Sequence, residues 1–502
     1  MEPSDSFSLH AHPLEQFLGK PSEEFTRNDL IRYIRENGIR MVNFRYVAGD
    51  GKLKTLNFII HSESYLEEIL TSGERVDGSS LFGYIEAESS DLYVIPRYST
   101  AFLNPFSEVP AVDILCSFYS SEGHPLDSAP EHILLKAHEY FRTQTGYTFK
   151  AMGELEYYVQ GKKEEMYPAE DQKGYHLSTP FSNYESFRLE AMKLIAMCGG
   201  KIKYGHSEVG NFNTDAESFE QHEIEFLPVE VQKAADQLVV AKWVLRNLGD
   251  RHGINVSFAP KITVGKAGSG LHIHMLLEKD GQNIMIEDGH LSDTARKMIA
   301  GVMDLAPALT AFGNTIPTSY LRLVPDQEAP TSVCWGDRNR SALIRVPLGW
   351  LHGTGMIREV NTQDRDTMPQ VGTRQTVELR SPDGSADVYH LLAGLVIAVQ
   401  HGLEMPDALE RAEMYYVDVN IFNKENGARL KQLKRLPESC WDSAEALKEA
   451  RALFEKDGIF PSRTIDNFIR TLQSYNDRGL SQRLMGHTDE IRNLVYRYLH
   501  HM

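Results

Sequence analysis

Four short segments of this chain alternate apolar residues with ionisable residues of almost only three kinds. They read Gly153-Glu154-Leu155-Glu156-Tyr157-Tyr158-Val159, His222-Glu223-Ile224-Glu225-Phe226, Leu271-His272-Ile273-His274-Met275 and Val377-Glu378-Leu379-Arg380. A period of two sends successive side chains to opposite faces of a strand. One face is then apolar, and the other carries glutamate, histidine and arginine. For any one segment a solvated sheet face is the simpler reading. Solvated faces usually mix in lysine, threonine and serine, however, so four such segments predict one sheet face forming a carboxylate-rich concave surface.

That surface needs counter-charge. Two carboxylates ~4 Å apart repel by ~4 kcal/mol at an effective dielectric of 20. They protonate, spread apart or hold cations. Many oxygen donors with a candidate imidazole favour Mg²⁺ or Mn²⁺ over zinc. Two hard cations in one cleft are a device for clamping phosphoryl oxygens.

An arginine-rich stretch supplies the opposite charge: Arg322-Leu-Val-Pro-Asp-Gln-Glu328-Ala-Pro330, then Arg338-Asn339-Arg340 and Ile344-Arg345-Val346-Pro347. The guanidinium fork grips carboxylate and phosphate alike. Arg322 and Arg345 sit among Leu, Val and Pro, which places them at strand termini rather than on a salt-bridged surface loop. Metals beside arginines point to phosphoryl transfer onto, or activation of, an acid. The glycine run Gly265-Lys-Ala267-Gly268-Ser-Gly270 precedes the histidine strand and permits close backbone approach to a ligand. It is no P-loop, since no Gly-Lys-Ser/Thr closes it.

Composition narrows the rest. A net charge of −18 argues against a nucleic-acid partner. No run of ~18 apolar residues occurs and no leader opens the chain, which predicts no membrane partner and a cytoplasmic protein. The 4 cysteines lack CxxC spacing, so neither a disulfide framework nor a cysteine zinc site is expected. Residues 1–25 read as a polar tail or loosely packed arm. Met41–Val47 and Leu53–Ile59 read as a hairpin about Ala48-Gly49-Asp50-Gly51, and a boundary is placed at residue 124. Helices are expected over Pro130–Thr145, Tyr184–Cys198, Ala234–Leu248 (capped by Gly249) and Asp293–Phe312. The apolar stripe of Asp489–Met502 either docks on its own domain or is an interaction helix.

Six blocks in order resemble the signatures of the glutamine synthetase family, bacterial type I. They are Val76-Asp77-Gly78-Ser79-Ser80, Gly153-Glu-Leu-Glu156, Gly268-Ser-Gly-Leu-His272-Ile-His274, Arg322-Leu-Val-Pro…Glu328-Ala-Pro330, Asn339-Arg340-Ser…Ile344-Arg345 and Val377-Glu378-Leu-Arg380. The resemblance runs from about residue 30 to the end. It implies an α+β fold: a small N-terminal β-grasp-like domain (26–124) and a large catalytic domain (125–502) with an antiparallel sheet funnel flanked by helices. It also implies a homo-oligomer, a dodecamer of two hexameric rings with shared active sites, strapped together by the terminal helix.

The resemblance further implies ATP as co-substrate, two or more Mg²⁺ or Mn²⁺ ions, and L-glutamate and ammonium as substrates. Glu156, Glu208 and Glu223 match ligands of one metal; Glu154, His272 and Glu378 match those of the other. Gly268, Arg322, Glu328, Arg340 and Arg380 match the glutamate set, with Glu328 and Arg340 also catalytic. His274 and Arg345 match nucleotide contacts. Asp77 matches the base that deprotonates ammonium, and Ser80, Tyr175, Glu208 and Glu328 complete that pocket. The chain departs from the pattern at Ala267 (usually Asn), Leu276 (Ser), Thr376 (Arg) and Lys203 (acidic), in a longer 209–222 stretch, and in lacking the usual adenylylation motif near Asn420. Three readings follow: an ammonia ligase, a γ-glutamyl ligase using an organic amine, and a catalytically silent regulatory ring. Asp77, Tyr175 and Glu328 favour the first.

Overall fold

The computed structural model describes residues 9–85, 90–163, 165–325, 329–349, 353–364, 373–419, 433–484 and 486–501. Its first sheet contains β1 (Met41–Val47), β2 (Leu53–Ile59), β3 (Glu74–Asp77), β4 (Asp91–Pro96), β5 (Phe102–Leu103) and β6 (Ala111–Tyr119). The order is β2-β1-β6-β4-β3 with β5 on β6; β1 and β6 run parallel and the other pairs antiparallel. The hairpin forms over the residues expected, with Met41 opposite Ile59 and Val47 opposite Leu53. Helices Arg27–Glu36 and Glu63–Ser72 belong to this unit, and their apolar sides join a core of Leu30, Ile34, Leu66, Ile69, Phe44 and Val94.

The second sheet is larger. Its long strands are β7 (Thr148–Lys162), β8 (Ile202–Asn213) and β9 (Glu217–Phe226), and the two-residue β10 (Val229–Glu230) and three-residue β11 (Asn255–Ser257) pair with β7. After β12 (Leu271–Lys279) and its short partner β13 (Gln282–Asn283), β14 (Ile286–Glu287) and β15 (His290–Leu291) form a separate ribbon. The sheet is completed by β16 (Trp335–Asp337), β17 (Ile344–Val346) and β18 (Val377–Leu379). The path is β16-β17-β18-β12-β7-β9-β8, antiparallel except at β16–β17. The apolar residues of the four alternating segments, Leu155, Ile224, Ile273 and Leu379, are at most 1% exposed. They share one core with the helices Pro130–Thr145, Val231–His252, Asp293–Gly313 and Val388–Glu404. The last two helices meet at Gly301 and Gly402, where a Cβ on either would lie 2.1 Å from a carbonyl oxygen of the other helix. Among the described residues no single helix is long and apolar enough to cross a membrane.

One terminal expectation needs correction. Residues 9–25 are not loose: the helix Pro13–Leu18 buries Leu14 completely, and Glu15 accepts from the Ser22 backbone N–H at 3.0 Å and lies 3.5 Å from Lys201 Nζ. At the other end, the helix Thr488–Tyr498 docks on its own chain, the first of the two alternatives read from the sequence. Ile491 and Val495 are buried with Leu321 and Leu484, and Ser481 Oγ donates to the Tyr320 carbonyl at 2.9 Å.

Candidate active site

Strand register brings the ionisable faces together. Glu154 stands opposite His272 on β12 and Glu225 on β9, Glu156 opposite Glu223, and Glu378 opposite both His274 and Arg345. The result is a cleft of ≈ 1490 Å³ walled by β7, β9, β12 and β18. The alternation read from the sequence thus becomes one carboxylate-lined face.

Glu154 sits at its centre. His272 Nδ1 donates to its Oε2 at 2.9 Å and His274 Nε2 to its Oε1 at 2.8 Å. Burial pushes the Glu154 carboxyl up, but His274 and His272 outweigh it and hold the group well below the usual range. His274 moves the other way: burial disfavours its charge, yet Glu154 and further carboxylates raise its pKa. Glu378 Oε1 lies 3.5 Å from the same Nδ1 of His272, and its other oxygen takes Arg345 Nη1 at 2.9 Å. Glu223 is pushed well above the carboxyl range by burial and then by Glu154, Glu156, Glu208 and Glu225.

β8 is irregular in two places, and both matter to the site. Its register with β9 shifts at Lys203, which lines the cleft with its Nζ 2.5 Å from Glu225 Oε1. It shifts again between Ser207 and Asn211, so Glu208 lies in the bulged stretch rather than in the ladder. A bulge re-aims side chains, and Glu208 lines the cleft with Tyr175. The long 209–222 stretch is the continuation of this hairpin, closed by Phe212 and Phe219 stacked at 4.6 Å. Tyr175 is 51% exposed and stacks on His176, whose ring lies 4.5 Å from that of His206.

The arginines ring the other end. Arg322 Nη1 donates to the Ser381 carbonyl at 2.8 Å, and its Nη2 lies 3.4 Å from His272 Nε2. Arg380 Nε is 3.2 Å from Glu378 Oε1, and Arg380 Nη1 donates to the carbonyl of Arg340, which is exposed in the cleft. Gly268 must be glycine: a Cβ there would lie 2.6 Å from the Pro260 carbonyl and 3.0 Å from Arg322 Cγ. At Ala267 only the backbone is engaged, accepting from Tyr158 OH at 2.9 Å. Thr376 Oγ1 lies 2.8 Å from His274 Nδ1, and Leu276 also lines the cleft.

Several expected residues fall elsewhere. Asp77 and Ser80 lie at the end of edge strand β3, where Ser80 Oγ and Ser79 Oγ donate to the Asp77 carboxylate at 2.6 and 2.7 Å and hold its pKa down. Neither lines the cleft. Glu328 and Asn420 lie outside the described residues. Glu156 lines the cleft but is tied to Gln221 Nε2 at 2.9 Å and Gly270 N–H at 2.8 Å. Sequence reasoning gave no role to His206 or Glu225, which complete two of the three ligand groups described next. Their signal was present: each sits two residues from an assigned glutamate, Glu208 and Glu223.

Three groups place their donor atoms within 4.8 Å of one another: Glu154/His272/Glu378, His206/Glu208/Glu223 and Glu154/Glu225/His274. The donors are carboxylate oxygens and imidazoles, and Glu225 Oε2 is buried without a hydrogen bond. Oxygen-dominated donor sets fit hard divalent ions, and Glu223, repelled by its neighbouring carboxylates, gains most from one.

Comparison with known proteins agrees with this geometry. The family models described as glutamine synthetase, beta-Grasp domain, and glutamine synthetase, catalytic domain, match residues 38–121 and 127–476. Glutamine synthetase of Clostridium saccharobutylicum is 30% identical over 444 residues, covering 85% of this chain and 90% of the relative. That of Thermococcus kodakarensis is 31% identical over 435 residues, covering 85% and 88%. The cryo-EM structure of Plasmodium falciparum glutamine synthetase superposes with a TM-score of 0.73 at 19% identity, covering 90% of this chain and 96% of that one. The structure described as apo GmaS without ligand gives 0.68 at 19%, covering 90% and 97%. With both domain models matched in order and the β-grasp and catalytic sheets in place, the chain belongs to the glutamine synthetase family and is a ligase.

Proposed function

We propose that this chain ligates ammonia to the γ-carboxylate of L-glutamate at the cost of ATP, through γ-glutamyl phosphate, giving L-glutamine, ADP and phosphate. One observation carries the reading: a carboxylate–histidine face suited to divalent ions meets four arginines, 322, 340, 345 and 380, in a single cleft. Glu154, His272 and Glu378 would hold one Mg²⁺ or Mn²⁺, and Glu208 and Glu223, with Glu156 and His206 beside them, a second. Bound there, such ions neutralise phosphoryl oxygens as charge moves during transfer.

The chain's own groups do the rest. Arg345 and His274 face the nucleotide phosphates. Gly268, Arg322, Arg340 and Arg380 seat glutamate, and Arg340 stabilises the acyl phosphate. Tyr175 and Glu208 form the ammonium pocket. Asp77 is the base, Ser80 its neighbour, and Glu328 the acid that covers the intermediate from water. Asp77 and Ser80 stand on an exposed edge of the N-terminal sheet, which supports a ring in which each subunit completes the cleft of the next. A dodecamer of two hexameric rings is the assembly proposed. The four cysteines are free and buried, in keeping with a reducing cytoplasm.

An organic amine as nucleophile has one observation in its favour. The half-exposed ring of Tyr175 beside Glu208 can cover an aliphatic chain while the carboxylate holds its ammonium. The test supplies the protein with L-glutamate, ATP, Mg²⁺ and isotopically labelled ammonium, with an amine mixture in a parallel tube, and reads products by mass spectrometry. Labelled glutamine with stoichiometric ADP is expected. A γ-glutamyl amine without glutamine would move the reading to the amine ligase, and no product in either tube to the silent ring.

A further inference from the structure

Residues 172–176 belong to no helix or strand, yet they run along β8 as a strand would. Gln172, Gly174 and His176 donate backbone N–H groups to the carbonyls of Asn211 at 2.8 Å, Val209 at 3.2 Å and Ser207 at 2.9 Å. Steps of two in opposite directions are the register of an antiparallel pair. The partner is the bulged stretch of β8, at the edge of its sheet, so the bulge that takes Glu208 out of the ladder is backed by this segment. Gln172 and His176 hold their places with φ of 56° and 58°. Left-handed backbone is costly for a residue with a Cβ and persists where the surroundings over-determine it.

The Gln172 side chain carries this contact into the cleft. Its Oε1 accepts from the Ala267 N–H at 2.7 Å, and its Nε2 donates back to the Asn211 carbonyl at 3.1 Å. Ala267 brings no polar side chain, so the hold on this glycine run comes from outside it. Lys261 Nζ donates to the Lys266 carbonyl, Tyr158 OH to the Ala267 carbonyl and Gln221 Nε2 to the Gly268 carbonyl, the last two at 2.9 Å. The N–H groups of Ser269 and Gly270 go to the Pro260 carbonyl and to Glu156. Among the described residues, the Gly268 N–H is the one amide of 267–270 without a protein acceptor, and Gly268 packs beside Arg322. We infer that Gln172 is a positioning residue for L-glutamate: it fixes the Ala267 peptide so that the Gly268 N–H and the Arg322 guanidinium meet a substrate carboxylate together. The inference deepens the function proposed above and rests on it.

Full-length wild type is compared with Gln172→Met, Gln172→Glu and Gln172→Gly by steady-state kinetics and by hydrogen exchange of the peptide spanning 265–270. Methionine keeps the length of the side chain but accepts no such bond. Gln172→Met is expected to raise the KM for glutamate about tenfold, with kcat and the KM for ATP within about twofold, and to speed exchange at least about fivefold. Gln172→Glu keeps the acceptor, so slow exchange and a KM within about threefold of wild type are expected. Gln172→Gly relaxes the left-handed backbone while losing the side chain. It is expected to melt no lower than wild type and yet to match the methionine variant in KM and exchange. That split separates positioning from mere support of the fold, and it stands if the methionine variant fails to fold. An unchanged KM for glutamate in the glycine and methionine variants would overturn the inference, as would an equal rise in the KM for ATP. Exchange unaffected by any of the substitutions would overturn it alone. A wild type that turns over no glutamate would overturn the function proposed above, and the role of Gln172 towards glutamate with it.

Discussion

Glu378 orders one whole end of the cleft. It is 1% exposed and faces Arg345 at 2.9 Å, Arg380 at 3.2 Å and His272 at 3.5 Å. Removing one member of a buried charge cluster strands the others, at a cost of about 3–5 kcal/mol. Glu378→Ala is therefore expected to lose stability of that order and all ligase activity, whereas Glu378→Gln, which keeps the shape, loses activity with a smaller stability loss. Denaturant melts and product assays check both, and a fully stable, inactive alanine variant would show that the arginines find other acceptors. At this scale much of the cleft was legible, because alternation alone puts Glu154, Glu156, Glu223, His272, His274 and Glu378 on one face. Glu208 and Lys203 obey no alternation, since bulges in β8 aim them. His206, paired with Glu223 in the ladder, escaped notice because its neighbours Gly205 and Ser207 give no apolar face against which an alternation could be read.

Elements were read more closely in their interiors than at their ends. The helix expected over Ala234–Leu248 runs Val231–His252, because Gly249 is a packing position against Val256 and the chain turns left-handed only at Gly253. The N-terminal arm was misread because its few apolar residues give no periodic signal, although Leu14 is fully buried. The terminal helix was recognised, but whether its stripe docks at home depends on distant partners. Those partners lie beside the site: Leu321 precedes Arg322 in the short helix Ser319–Arg322 and packs with Ile491 and Val495. Val495→Asp would place a charge in that cluster and undock the helix. Arg322 would lose support from behind while keeping its Ser381 and Pro382 acceptors. The expected result is a KM for glutamate raised about tenfold with kcat changed little, since loss of positioning weakens binding before chemistry. Unchanged steady-state kinetics would mean that those carbonyls alone fix the guanidinium.

At the scale of the whole molecule, the two sheets are joined through a buried polar junction away from the cleft. Arg97, following β4, makes a fork to Asp236 of the helix Val231–His252 with both contacts at 2.8 Å, and Tyr389 OH donates to the same carboxylate at 2.6 Å. Glu131, opening the helix Pro130–Thr145, accepts from the Phe118 backbone N–H of β6 at 2.9 Å. Burial raises its pKa from 4.5 to about 7; the Phe118 hydrogen bond and Arg97 pull it down, and Asp236 adds to the rise. Tyr84, Tyr389 and Cys116 also face it and are neutral at physiological pH, their own ionisation pushed up first by burial. The folded state therefore holds the Glu131 proton more tightly than the unfolded chain does. Its stabilising contribution is complete below the unfolded value of 4.5 and is lost as pH rises through about 7. Glu131→Gln keeps the acceptor for Phe118 but cannot ionise. It is expected to match wild type near pH 4.5 and to exceed it at pH 8 by up to about 3 kcal/mol. Thermal melts across that range are the check. A gap of constant size would trace to packing at the junction, and a wild type more stable at pH 8 would mean that Arg97 is shared between Asp236 and an ionised Glu131.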